Sequence, residues 1–456
     1  MNTVKTYNPS DNSFIKEYLC HTPDEVHLII DQCECAQKRW KQLKVEERLQ
    51  PLEYLSSLLL SSRDRLASLI TAEMGKPIRE AKAEIEKCAT LCRTYLENGE
   101  AIFREEKIQT EFSESFVCFE PLGIVFGIMP WNFPFWQVFR FAVPALIAGN
   151  GALLKHASNT IGSGEAIAAL FAEAGFPLHL FASLILPGSE AESVIDHPSI
   201  SAITLTGSER AGSAVAARSG KFLKKSVLEL GGSDPFVLLE DADLEAAAEV
   251  AARARLLNNG QSCIAAKRFI IAERLYDAFI QKIVSEISHY TIGDPSLPTT
   301  DLGPMAKEEI RRDLHAQLQR SLREGARLCA GGALPDGAGF FYPPTVLSDI
   351  LPSMTVAQEE TFGPLFAVMC ARDDAHALEL ANSTPFGLGG AVWTRDRDRG
   401  VAFARQIEAG TVAINGMTVS HPALPFGGIK QSGYGRELSH YGPKEFTNIK
   451  TIYCTS

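Results

Sequence analysis

Apolar positions recur at three-to-four spacing along the first hundred residues, most clearly at Leu52, Leu55, Leu59, Leu66 and Ile70, with Arg, Asp and Ser between them. That spacing puts an apolar stripe along one helical face and predicts helix throughout this region. Gly75-Lys76-Pro77 interrupts the pattern, and a second, more polar helix is expected from about Ile78 to Phe103. From Lys107 to Phe119 the period changes. β-branched and aromatic residues alternate there with Thr, Glu and Ser, which predicts extended chain. Beyond Pro121-Leu122-Gly123, the run Ile124-Val125-Phe126-Gly127-Ile128 reads as a fully buried strand.

The next hundred residues alternate between the two periods. Strands are expected at Gly151–Lys155, Ser183–Leu186 and Ala202–Thr206, with a small-residue helix from Ser163 to Ala174. A second alternating block begins at Pro235–Leu239, includes Arg268–Ile271 and runs to about Ala413, and Lys444 to Tyr453 alternates once more as a terminal strand. Strand, helix, strand at this spacing implies parallel sheets covered on both faces. The fold class is therefore α/β, with two α/β domains and a small strand-built element.

The length, 456 residues, suits two large domains or about three ordinary ones. With 44 basic and 55 acidic residues the net charge is −11, and no Lys/Arg run appears. That balance argues against nucleic acid as a partner, since phosphate neutralisation needs a basic face. No apolar run is long enough to span a bilayer, and the first residues lack the apolar core of a signal peptide. The expectation is a cytoplasmic protein without membrane contact. The ten cysteines are scattered. The close pairs, Cys33/Cys35 and Cys88/Cys92, lack CxxC spacing, Cys88 and Cys92 read as small hydrophobes one helical turn apart, and no His/Cys cluster predicts a metal.

Four segments offer chemistry, each with a plainer alternative. In Asn258-Asn259-Gly260-Gln261-Ser262-Cys263, a cysteine follows a glycine turn; alone it is most simply a core residue, but free backbone N–H groups near the sulfur would suit a nucleophile and an oxyanion. Glu229, between Leu228 and Leu230 and followed by Gly231-Gly232, is either an ordinary strand-end carboxylate or a desolvated base. Pro130-Trp131-Asn132-Phe133-Pro134 is either an aromatic turn or a rigid mount for the Asn132 amide. Thr206-Gly207-Ser208 opens a helix after a strand, which favours a pyrophosphate although the GxGxxG spacing is missing.

In this order, and with Glu359-Glu360-Thr361-Phe362-Gly363-Pro364 and Pro425-Phe426-Gly427-Gly428-Ile429-Lys430-Gln431-Ser432-Gly433, these segments resemble the aldehyde dehydrogenase superfamily from about Pro121 to Lys450. The resemblance implies an aldehyde dehydrogenase-like fold. A Rossmann-type cofactor-binding domain would occupy residues 1–106 and 121–228, a catalytic domain 229–425, and an oligomerisation arm 107–120 and 440–456. An unpaired sheet edge in such an arm points to a homodimer or dimer of dimers. It further implies that Cys263 attacks the aldehyde, that Asn132 and the Cys263 N–H hold the oxyanion, and that Glu229 activates water against the thioester. Glu360 and Phe362 would hold the nicotinamide end of the cofactor. Trp131, Gly207, Ser208 and Leu230 would line its path.

Two further pairs of positions refine the resemblance. In Lys155-His156-Ala157-Ser158, Ser158 stands where a Glu would favour NAD, so Lys155 and Ser158 point to NADP, with NAD a weaker possibility. Arg140 and Ser420 are similar to substrate-carboxylate positions of succinate-semialdehyde dehydrogenases, and Arg140, eight residues beyond Asn132, is expected two helical turns along the same face. Some members carry an arginine where this chain has Leu257 and a second cysteine where it has Ala265. The expected reaction is oxidation of succinic semialdehyde to succinate with NADP. The alternative is oxidation of uncharged aliphatic or aromatic aldehydes, with Arg140 merely paired to a structural carboxylate.

Overall fold

Two large sheets organise the protein. The computed structural model describes residues 2–455; Met1 and Ser456, the outer ends of the cofactor segment and the arm expected above, lie outside the described residues. The first sheet has six strands in the order Gly433–Tyr434, Lys225–Glu229, Ile200–Thr206, Ile124–Met129, Gly151–His156, Phe181–Ser183. Its pairs are parallel except the first, with Ile124 opposite Gly151 and Met129 opposite His156. Because the strands run parallel, Met129, His156, Thr206 and Glu229 all end on one edge. Crevices beyond the carboxyl ends of such strands are where this architecture binds ligands.

The second sheet has seven strands in the order Arg327–Ala330, Thr345–Ser348, Leu365–Ala371, Ala266–Ala272, Asp234–Leu238, Gly389–Trp393, Thr411–Ile414, with only the first antiparallel. Cys263, Glu360 and Phe362 lie just ahead of its strands, so this sheet presents their amino ends. Separate clusters of buried apolar side chains cover its two faces, one including Phe236 and Phe269, the other Val237 and Ile270. That alternation is what a strand buried on both sides requires.

A third, antiparallel sheet joins Thr447–Cys454 to Glu114–Pro121 and Glu106–Lys107, with Thr447 opposite Pro121 and Cys454 opposite Glu114. Beyond Thr447 its outer strand is exposed along its whole length.

The amino-terminal region differs from the all-helical expectation. Thr3–Tyr7 and Phe14–Leu19 form an antiparallel hairpin before the first helix, Pro23–Trp40, which opens with a Thr22/Glu25 capping box. The leucine stripe is split between helices Pro51–Ser61 and Arg63–Met74, but all five of its residues are fully buried. The strand expected at Ser183–Leu186 lies earlier, at Phe181–Ser183. The helix Trp136–Ile147 is buried on every side, as its apolar sequence demands. Cys88 and Cys92 are buried, and none of the ten cysteines is bridged. No described helix is long and apolar enough to cross a membrane.

Candidate active site

The loop before Cys263 explains its own composition. Asn258, Asn259 and Gly260 are all left-handed, with φ of 57°, 57° and 74°. Asparagine and glycine are the residues that adopt this conformation at least cost. At Gly260 a side chain would also collide with the Gly363 backbone, 2.4 Å from an added Cβ. The fold is held by Asn258 Nδ2, which donates to the carbonyls of Asn132 (2.7 Å) and Gln261 (2.9 Å). Lys267, fully buried, donates to the carbonyls of Ser262 (3.1 Å) and Cys263 (2.7 Å) and lies 3.2 Å from Glu360 Oε1. The Cys263 N–H meets no backbone acceptor among the described residues.

Asn132 is fixed from both ends. Its Oδ1 accepts from Gln137 Nε2 at 3.0 Å, and its Nδ2 donates to the Gln261 carbonyl at 3.1 Å. An amide nitrogen has two hydrogens, so one remains for a ligand oxygen beside Cys263. The loop is anchored by Glu84, whose Oε1 accepts from the N–H groups of Phe135 (2.9 Å) and Trp136 (3.0 Å) at the start of the buried helix. A carboxylate there also opposes the helix dipole favourably. Because that helix begins only at Trp136, Asn132 sits on the loop, and the expected two-turn spacing to Arg140 does not hold.

Asn132, Cys263, Glu360 and Phe362 line one cavity of about 360 Å³, together with Trp131, Gly207, Ser208 and Leu230. Ser208 caps the following helix by accepting from Ala211 N–H, and Trp131 meets Phe362 edge-on with centroids 5.8 Å apart. Burial pushes the Cys263 thiol up to about 11, against the opposing pull of Arg140 and Lys267.

Glu229 stands behind this cavity rather than in its wall. It is 2% exposed, and neither carboxyl oxygen has a hydrogen-bond partner among the described residues. Burial first, and the neighbouring Glu437 second, raise it well above the usual carboxylate range. Glu437 is raised by burial too, opposed by Arg140. Gly427 has to be glycine here: its φ is +154°, and an added Cβ would stand 2.7 Å from Glu229 Oε1.

Arg140 departs from the simple substrate-clamp expectation. It is 3% exposed, its Nε lies 2.6 Å from Glu437 Oε2, and its guanidinium sits 4.6 Å over the Phe426 ring. The Nε edge is thus occupied by a carboxylate of the protein, while Nη2 is buried without a hydrogen-bond partner among the described residues. Ser420 is brought to the same helix, where its Oγ accepts from Trp136 Nε1 at 3.0 Å.

Lys155 and Ser158 line a separate cavity of about 280 Å³ together with Lys307, which comes from the start of the helix Glu308–Arg323. Among the described residues no carboxylate lines it. Burial depresses both ammonium groups, and Lys307 depresses Lys155 further. His156 holds the turn beneath: its Nδ1 accepts from Ala157 N–H (2.9 Å), so Nε2 donates to the Pro134 carbonyl (2.9 Å), and burial lowers it to about 4. Two cations around a hollow with no carboxylate in its described lining fit a phosphate monoester.

Glu437, Lys267 and Lys307 escape a reading of local motifs. Glu437 follows Gly435-Arg436 in a polar stretch, and Lys267 and Lys307 are lone lysines at the edges of elements; only the folded path brings them to the site.

Comparison with known proteins agrees with this geometry. The profile of the aldehyde dehydrogenase family matches residues 1–452. A probable NADP-dependent succinate-semialdehyde dehydrogenase of Synechocystis sp. is 45% identical over 450 residues, covering 99% of both chains. The succinate semialdehyde dehydrogenase of Escherichia coli K12, named for NAD or NADP, is 44% identical, covering 99% of this chain and 98% of its own. The crystal structure of succinic semialdehyde dehydrogenase from Streptococcus pyogenes with NADP+ superposes with a TM-score of 0.97 at 33% identity, over 99% of this chain and 100% of that one. With the profile spanning almost the whole sequence and relatives this similar end to end, the chain belongs to the aldehyde dehydrogenase family.

Proposed function

We propose that the protein oxidises succinic semialdehyde to succinate with NADP, through a thioester on Cys263. The observation that carries this reading is the pairing of Cys263 with a free Asn132 hydrogen and a free backbone N–H, two donors placed for an oxyanion next to one sulfur. The Cys263 thiolate adds to the aldehyde carbon, and the resulting alkoxide is held by Asn132 Nδ2 and the Cys263 N–H. Bound NADP supplies the nicotinamide that accepts the hydride leaving that carbon. Glu229 then takes a proton from the water that attacks the thioester, releasing the acid and restoring the thiol. Glu437, against the same buried carboxyl, tunes when Glu229 is ionised.

Glu360, Phe362, Trp131, Gly207, Ser208 and Leu230 line the nicotinamide and pyrophosphate path, and Lys155, Ser158 and Lys307 receive the 2′-phosphate. NAD fits the same groove without that contact and binds less tightly. The names of the Synechocystis and E. coli relatives support both the substrate and the cofactor. Arg140 Nη2 and the Ser420 hydroxyl meet the substrate carboxylate, with Glu437 fixing the other edge of the guanidinium. The outer strand Thr447–Cys454, with Ile449 and Tyr453 more than half exposed, supports pairing between copies into a homodimer or dimer of dimers. Ten unbridged cysteines support a reducing cytoplasm.

A second reading, oxidation of uncharged aldehydes, is favoured by the Arg140–Glu437 pair. The two are separated by kcat/KM for succinic semialdehyde and for butyraldehyde, an aldehyde of equal length without the carboxylate. A preference for succinic semialdehyde of at least roughly 30-fold is expected from one charge-assisted contact. Equal values would overturn the semialdehyde reading in favour of the second.

A further inference from the structure

Lys87 is a cation that the chemistry described so far leaves unused. It lies mostly buried on the helix Ile78–Ile102, one turn beyond Glu84. Its Nζ donates to Ser420 Oγ at 2.7 Å and stands 4.1 Å over the Trp136 ring. Glu84, the carboxylate on this helix that acts on it electrostatically, is already paired with Lys76 and the N–H groups of Phe135 and Trp136, and the adjacent Glu86 with Arg63. An ammonium brought this far from water without a carboxylate partner is costly, and burial lowers it to about 8, with Arg140 adding repulsion.

The hydrogen-bond inventory at Ser420 gives the chemistry of what belongs there. A hydroxyl offers two acceptor sites and one donor. Lys87 Nζ and Trp136 Nε1 occupy both acceptor sites, and the hydroxyl hydrogen is directed at no acceptor among the described residues. Every remaining capacity of the cluster is therefore a donor: the Ser420 O–H, the other two Lys87 N–H groups and Arg140 Nη2. Trp136 and Arg140 are four residues apart on one helix and so share a face. Arg140 acts electrostatically on both Cys263 and Lys87, so its charge is felt at the sulfur and at the ammonium alike. An anion at Ser420 would meet the helix that carries Arg140 and follows the Asn132 loop, as the tail of a short semialdehyde would.

We propose that Lys87 is a specificity-determining residue of the substrate site, meeting the carboxylate of the semialdehyde jointly with the Ser420 hydroxyl. This role presupposes the carboxylate-bearing substrate proposed above. It also resolves the partial commitment of Arg140 to Glu437, because the full positive charge for the substrate comes from Lys87.

The test compares wild type, Lys87→Met and Lys87→Arg, measuring kcat and KM with NADP for succinic semialdehyde and for butyraldehyde, and the competitive inhibition constant of succinate against butyraldehyde. Lys87→Met should raise KM for succinic semialdehyde and weaken succinate by roughly 10- to 100-fold, leaving butyraldehyde within about twofold, and Lys87→Arg should recover most of the loss. If wild type prefers succinic semialdehyde but Lys87→Met slows both aldehydes equally and leaves succinate inhibition unchanged, Lys87 is a packing residue and the proposal is overturned. If wild type shows no preference, the substrate reading itself fails, and this role with it.

Discussion

Replacing Lys307 by methionine removes one of the two cations around the Lys155–Ser158 hollow while keeping most of the side-chain volume. A charge-assisted contact to phosphate contributes about 1.5–3 kcal/mol. The loss here should lie at the low end of that range, because Lys307 and Lys155 repel each other in the free protein. Removing Lys307 lets Lys155 hold its proton more firmly and grip the phosphate better. The net cost is then about 1.5–2 kcal/mol, or roughly 10- to 30-fold in affinity at about 1.4 kcal/mol per decade. Isothermal titration of the enzyme with adenosine 2′,5′-bisphosphate and with adenosine 5′-monophosphate isolates the effect, since the ligands differ by the 2′-phosphate alone. The bisphosphate should weaken by that factor, and the monophosphate should not change. Equal weakening of both, or of neither, would refute the assignment of this hollow to the 2′-phosphate.

Two further outcomes follow from the buried ionisable groups. With its thiol pushed up to about 11, Cys263 in the cofactor-free enzyme is almost entirely protonated at neutral pH; peptide-resolved alkylation by iodoacetamide should accelerate about tenfold per pH unit from pH 7 to 9, and a plateau near pH 7 would contradict this. Glu437→Gln removes the neighbour that raises Glu229 and frees Arg140 to face it, so Glu229 ionises at lower pH; the acid limb of the kcat profile should move to lower pH, and an unmoved limb would mean that the two carboxyls do not interact.

The parts of the structure legible in the sequence are those whose signal is local. The parallel strands of the central sheets are rich in apolar residues, and Ile124–Met129, Gly151–His156 and Ile200–Thr206 are each bounded by turn residues. The Cys263 loop is legible because its asparagines and glycine are demanded by backbone conformation rather than by distant contacts. The amino-terminal hairpin is not legible, since Thr3–Tyr7 and Phe14–Leu19 are short and mostly exposed, leaving little apolar alternation to detect. The charged residues behind the site are hidden for a different reason. Lys87 lies among Glu and Lys on a helix that reads as solvated, and its meaning appears only when Trp136 and Ser420, from two distant segments, close on it. Arg140 shows the limit from the other side: its helix position can be read from sequence, but its pairing with Glu437 depends on a contact across almost three hundred residues of chain.

The central claim is that Cys263 carries the substrate's acyl group, and it is tested most directly by trapping that group. Glu229→Gln, which lacks the base for the water, is mixed with NADP and succinic semialdehyde and quenched in acid, and the Cys263 peptide is weighed by mass spectrometry. The account predicts a succinyl group on Cys263, accumulating to about one per active chain alongside one equivalent of NADPH. NADPH formed with Cys263 unmodified, or the acyl group on another cysteine, would contradict it.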